Sequence, residues 1–201
     1  MSTARPILID LPNQLAGERV LARQYGDGDV AALHAMIEVS QAHLQRWLPG
    51  FDHERSLDDI RESIRRSQAQ WVLRESFSMG LFLLNGTLIG DLRLRPTSWQ
   101  IPAFDIAYWL RPDSIGHGYA GEAVQLLTSC AFERLGARRV AINCDPANTR
   151  SASVAQRLGY LLEGRLRNSA TGPDGQPCDL LLFALTREDY ARARASWAQS
   201  S

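Results

Sequence analysis

What this sequence lacks limits its function before any motif is read. Cysteine is scarce: Cys130, Cys144 and Cys178 are odd in number, widely spaced and set in apolar surroundings. That pattern argues against both a disulfide framework and a zinc site, so reduced thiols and no bound metal are expected. Neither charge sign is in excess, since 22 basic residues face 22 acidic ones. A chain without a net field is not drawn to nucleic acid or to an anionic membrane surface. Long apolar runs are missing, and the opening MSTARPILIDLPNQL has no basic stretch followed by an apolar core. Neither a spanning helix nor a secretory signal is expected, which leaves a cytoplasmic enzyme or binding protein as the default. Internal repeats and low-complexity segments are also absent.

What is present is an ordinary globular composition, 45% hydrophobic and 22% charged over 201 residues, which suits one domain spanning 1–201. Glu18 to Gln24 alternates as a strand does. Val30, Leu33, Ile37, Leu44 and Leu48 then recur at helical spacing up to Pro49, with a break expected near Ser40. Leu57 to Glu75 predicts a second amphipathic helix, opened by Ser56 as N-cap with Asp58 and Asp59 in its first turn. Its arginines alternate with acids and read as a solvated face.

Met79 to Leu84 and Leu88 to Leu94 predict two strands joined by Asn85-Gly86, a strong hairpin signal. Pro96 to Pro102 interrupts the pattern, and Phe104 to Leu110 resumes it. A helix from Gly118 to Leu135 stops at Gly136. The strand Arg139 to Cys144 and a helix to about Leu158 follow, then strands over Tyr160 to Asn168 and Cys178 to Thr186, and a closing helix to Ala198.

The segment FDIAYWLRPDSIGHGYAGE, Phe104 to Glu122, is the centre of the chain: a strand, a glycine-rich turn, and a helix start. Gly116, Gly118 and Gly121 flank His117, Tyr119 and Ala120, so the backbone can adopt positive φ and approach a ligand closely. The first amides of a helix have no helical acceptor, and with the helix dipole they favour an anion. A tight turn with no ligand would use the same glycines, so context must decide.

The order strand, two helices, three-strand meander, glycine loop, helix, strand, helix, two strands resembles the GNAT acyl-CoA N-acyltransferase fold. This is an α/β (α+β) architecture with a mixed, mostly antiparallel sheet, helices on both faces and a splayed central strand pair. The runs IAYWLRPDSIGHGYAGEAV and NTRSASVAQRLGY make the resemblance specific, towards the branch holding the Rim-type ribosomal-protein N-terminal acetyltransferases. It extends from HLQRWLP at His43 to Pro49 through TREDY at Thr186 to Tyr190.

The resemblance implies acetyl-CoA as cofactor, its pyrophosphate on the amides of Gly116 to Gly121. The pantetheine would lie between the strand ending at Trp109 and Leu110 and the one ending at Cys144. Ile115 replaces the Gln or Arg usual in relatives, so a side-chain contact is lost there while main-chain contacts remain. Asn148 and Ser151 match the family's Asn-x-x-Ser facing the pantetheine and the thioester sulfur, although either residue could serve only as a helix cap. Arg157 stands where relatives often carry Lys.

Acetyl transfer needs a neutral amine, a donor for the oxyanion and a proton for the departing thiolate. Ser151 is the candidate for the last of these. For the base, Asp105 and Tyr108 compete, because strand alternation puts them on opposite faces; ordered water is the third option. His43, Trp47, Phe51 and Trp71 are the aromatic candidates for the acceptor wall. The acceptor is expected to be a protein N-terminus or a small-molecule amine, and the oligomeric state is open, a homodimer included.

Two rivals stand beside this reading. GHGYAG is a literal G-x-G-x-x-G, which would suit an NAD(P)-binding oxidoreductase, but five residues separate strand from glycine and no substrate domain follows. A non-catalytic acyl-CoA-binding protein of the same fold is the other.

Overall fold

The computed structural model describes residues 5–51 and 53–197, so Ala198, the expected end of the last helix, lies outside the described residues. In chain order the elements are β1 (Gln14–Ala16), β2 (Val20–Gln24), α1 (Val30–Leu44), α2 (Leu57–Leu73), β3 (Phe77–Leu83), β4 (Leu88–Ser98) and β5 (Ala103–Leu110). Then come α3 (Tyr119–Glu133), β6 (Arg139–Cys144), α4 (Thr149–Arg157), β7 (Leu161–Thr171), β8 (Pro177–Thr186) and α5 (Arg187–Trp197).

The strands form one sheet in the order β1-β2-β3-β4-β5-β6-β8-β7. Every neighbouring pair is antiparallel except β5 and β6, which are joined through α3 and run parallel. That pair is hydrogen-bonded only from Ala103–Arg139 to Ile106–Ile142, while β5 continues to Leu110 and β6 to Cys144. Beyond Ile106 the two strands are therefore splayed, and the gap lies at the sheet's centre.

Alternation along the strands separates two cores. On β4 Leu88 packs with Val30, Leu33, Met36, Ile60 and Ile64 of α1 and α2, whereas its neighbour Ile89 packs with Val124 and Leu127 of α3. On β5 Trp109 faces the first cluster and Leu110 the second. Successive strand residues point to opposite faces, so α1 and α2 cover one side and α3 the other.

The helix ends follow their chemistry. Ser56 accepts from the Asp59 amide at 3.2 Å while the Asp59 carboxylate accepts from the Ser56 amide at 2.8 Å, a reciprocal capping box that starts α2. The α2 face is indeed a shallow solvated hollow of alternating charges, with Arg66 paired to Glu62 and Arg61 to Asp58.

Two expectations fail locally, and one short strand was missed. No break occurs near Ser40, because that small residue is completely buried within a continuous α1. Nor does Pro96 end its strand. β4 pairs with β3 only as far as Leu94, so past that point its missing N–H costs no ladder bond on that edge, and a register shift at Pro96/Ser98 absorbs the irregularity. The edge strand β1 was unforeseen, since three residues carry too little alternation to read.

Candidate active site

A groove of about 800 Å3 opens where β5 and β6 separate. Its floor is the start of α3. Gly118, the N-cap, holds φ +83° and Gly116 φ +93°, conformations that disfavour any side chain. No side chain caps this helix, and the Glu122 amide is the first to find a helical acceptor, the Gly118 carbonyl at 3.2 Å. The amides of Tyr119, Ala120 and Gly121 are thus left for an anion, at the positive end of a 15-residue helix. Gly116, Gly118, Tyr119, Ala120, Gly121 and Ile115 all line the groove.

A clamp that sequence reading missed holds this turn. Arg19, just before β2, donates through Nε to Glu122 Oε2 at 2.9 Å and through Nη1 to the His117 carbonyl at 3.0 Å. The Arg19 amide donates to Glu122 Oε1 at 2.8 Å. Glu122 sits in the first turn of α3, where an unpaired carboxylate would repel an anion; Arg19 neutralises it. The His117 ring stacks on Tyr119, centroids 5.6 Å apart, and does not line the groove.

The β5 wall presents Tyr108, Trp109 and Leu110. The Arg111 amide bonds the Ile89 carbonyl at 2.8 Å, and in an antiparallel ladder such pairs alternate. The Leu110 and Tyr108 amides therefore turn away from β4, towards the gap. Opposite them, α4 contributes Asn148, Arg150, Ser151 and Arg157. Asn148 caps α4 through a 3.1 Å bond from the Ser151 amide, which fixes Ser151 in place. The Ser151 hydroxyl lies 3.2 Å from the Tyr108 hydroxyl. Burial pushes the Tyr108 phenol up to about 12, although Ser151 pulls it down, so at neutral pH it is an uncharged donor. Burial likewise raises the Cys144 thiol.

The third wall, at the end of α1, carries His43, Arg46 and Trp47. Burial, then Arg150, then Arg46 hold the His43 imidazole below its ordinary value of 6.5, so it is neutral at pH 7. No Asp or Glu lines the groove among the described residues.

Besides His117, three expected residues lie outside the groove. Asp105 lies on the Trp109 face of β5, outside the groove, paired with Arg95 at 3.2 Å, and so is not placed to act as base. Trp71 is buried edge-on against Phe77, ring centroids 5.3 Å apart, because α2 packs it into the core and not towards the α1 terminus. Phe51 sits behind the groove wall, edge-on to Trp109 at 6.2 Å. Arg46 and Arg150 were not anticipated. A clue was available for the second: an arginine in the first turn of a helix whose opening has no acid.

A splayed parallel pair with an uncapped, glycine-opened helix at its mouth defines an acyl-coenzyme A-binding transferase. The chain matches the acetyltransferase (GNAT) domain over residues 19–161 and belongs to that family. It is 29% identical over 174 residues to the putative ribosomal N-acetyltransferase YdaF of Bacillus subtilis, covering 86% of this chain and 94% of that one. Among solved structures it superposes on Mycobacterium smegmatis RimJ in complex with CoA-disulfide with a TM-score of 0.83 at 23% identity, covering 92% and 95% of the two chains. The match to RimL, the ribosomal L7/L12 α-N-protein acetyltransferase in complex with coenzyme A, has a TM-score of 0.80 at 23% identity, with coverage of 86% and 97%. The protein is an acetyl-CoA-dependent N-acetyltransferase with the GNAT fold, as the sequence resemblance implied, which excludes the oxidoreductase reading. Among the described residues no helix is long and apolar enough to cross a membrane, and no cluster of His, Cys, Asp or Glu could hold a metal.

Proposed function

We propose that the acceptor is the α-amine of a protein N-terminus, as the names of the ribosomal relatives suggest. The observation that carries this reading is the absence of a carboxylate base from the groove among the described residues. The acceptor must then arrive neutral, or yield its proton to His43, a base weaker than ordinary imidazole. An α-amine near 7.8 is already partly neutral at pH 7, whereas a lysine ε-amine near 10.4 is about 400-fold less so. Arg46 and Arg150 add positive field, which further disfavours a protonated amine. Such a protein would work in the cytoplasm.

Acetyl-CoA supplies the activated acetyl group as a thioester. On this reading the amides of Tyr119, Ala120 and Gly121 take its diphosphate, with Arg157 beside them. The Leu110 and Tyr108 amides are donors for charge developing on the reacting carbonyl. The nitrogen–carbon bond forms, the carbon–sulfur bond breaks, and the amine's proton ends on sulfur. Tyr108 and Ser151 provide the path. A phenol held near 12 cannot surrender its proton outright to a thiolate near 8.5, an uphill step of about 5 kcal/mol. It can relay one that enters from the reacting nitrogen as another leaves through Ser151.

The test is acetylation of a peptide carrying both a free α-amine and a lysine, read by mass after fragmentation. Modification confined to the N-terminus is expected. Modification of the lysine alone, or no product together with tight acetyl-CoA binding, would overturn the reading; the latter would favour a non-catalytic coenzyme-binding protein.

A further inference from the structure

Among the described residues the groove's charge is one-sided although the chain's is balanced: Arg46, Arg150 and Arg157 line it, and no acid does. Several arginines elsewhere are paired, as Arg19, Arg23, Arg66 and Arg139 are with Glu122, Asp29, Glu62 and Glu163. Among the described residues Arg46 and Arg150 have no ion-pair partner. Arg150 is also badly placed for its own helix. It is the second residue of α4, at the positive end of the dipole, with no acidic residue in the first turn to offset it. The nearby Asp145 carboxylate is engaged with the Ala147 amide at 2.7 Å. An exposed cation left unpaired beside the groove is free to meet a carboxylate on whatever the groove binds.

What meets Arg46 and Arg150 is not the coenzyme's diphosphate. The open amides that suit it are at the start of α3, and Arg157 stands at the far end of α4, roughly 10 Å along the helix from Arg150 at 1.5 Å per residue. Arg46 follows the end of α1, next to Trp47, and both Arg46 and Arg150 act on the His43 imidazole. Both stand at the His43 end of the groove, where α1 finishes.

We propose that the acceptor is an N-terminal peptide with acidic side chains directly behind its α-amine, and that Arg46 and Arg150 read those carboxylates. This rests on the N-terminal reading above and narrows it. The two arginines then perform two tasks. They repel a protonated amine at the reaction point, and they bind the carboxylates that follow it, so that the peptide enters in one orientation with its terminus towards Tyr108.

The experiment compares octapeptides with identical N-termini that differ only at the second to fourth positions, carrying Glu/Asp/Glu, Gln/Asn/Gln or three lysines. The full-length protein and acetyl-CoA are used, with thiol release and product mass as readouts. At low salt kcat/KM for the acidic peptide should exceed that for the neutral one by about tenfold, the size expected of two partly exposed ion pairs. The gap should narrow as ionic strength rises. Arg46→Glu and Arg150→Glu should each shrink it, and the double variant should prefer the lysine peptide, with the acetyl-CoA dissociation constant held within about twofold of wild type. Arg→Gln variants serve if charge reversal disturbs folding. Equal rates on acidic and neutral peptides would overturn the charge inference alone. A large loss of coenzyme affinity in either variant would overturn it by assigning the arginine to acetyl-CoA, and better turnover of free aspartate than of any peptide would overturn the peptide class. If no peptide α-amine is acetylated, the N-terminal reading falls, and this proposal with it.

Discussion

Ser151 is set by two contacts: its amide to Asn148 and its hydroxyl to Tyr108. Such a residue affects the chemical step more than binding. Ser151→Ala should lower kcat by about 10- to 100-fold with little change in the KM for acetyl-CoA, and Tyr108→Phe should lower it comparably because both belong to one path. The double variant should be scarcely worse than either single one. Additive losses would show two independent roles, and wild-type kcat in Ser151→Ala would remove the path. The Asn-x-x-Ser spacing was legible in the sequence because it is local. The Tyr108 partnership was not, since it joins residues 43 positions apart. Asp105 misled for the same reason: alternation gave its face of the strand correctly but could not show Arg95 beside it.

At the scale of elements, the turn into α3 combines two positive-φ glycines with a clamp from Arg19, distant in sequence. Gly118→Val would force a β-branched residue to φ +83°, and a Cβ there stands 3.2 Å from Arg19 Nη2. The coenzyme dissociation constant should rise by more than about tenfold while the far-ultraviolet spectrum is kept, since the strain is local. Arg19→Ala should also weaken the coenzyme, by leaving Glu122 unpaired at the dipole's positive end; Glu122→Gln should recover much of that loss in the double variant. Titration calorimetry reads both. Failure of Glu122→Gln to recover affinity would mean that Arg19 acts by another route. Glycines, caps and alternating strands were readable because each is written within a few residues. The Arg19–Glu122 contact spans 103 positions, and only the sheet order that sets β2 beside the start of α3 could reveal it.

At the scale of the whole molecule, the half-buried Asp91 is an acid that the active site does not use. The Tyr25 hydroxyl donates to Asp91 Oδ2 at 2.9 Å beneath α1, and burial pushes the Asp91 carboxyl up to about 6, against the downward pull of Tyr25 and Arg93. Its native state holds the proton more tightly than the unfolded chain, where the value is near 3.8. Stability from this residue is therefore present below about pH 4, declines as pH rises towards 6 and is flat above, a change of at most about 3 kcal/mol. Asp91→Asn should match wild type near pH 4 and melt higher at pH 7, the difference growing between those limits in thermal scans. A constant difference across the range would contradict the assignment. The overall fold was legible because element order and loop motif agree with one architecture. The charge of the groove was not: it comes from Arg46 and Arg150, which lie 104 positions apart and meet only after folding, while the balanced net charge conceals them.

The central claim is that the amides opening α3 hold a diphosphate so that its thioester lies between β5 and β6. A crystal structure with acetyl-CoA tests it most directly. The account predicts phosphate oxygens on the Tyr119, Ala120 and Gly121 amides and the sulfur beside the Ser151 hydroxyl. Coenzyme density away from that turn, or β5 and β6 paired beyond Ile106 so that the gap is closed, would contradict it.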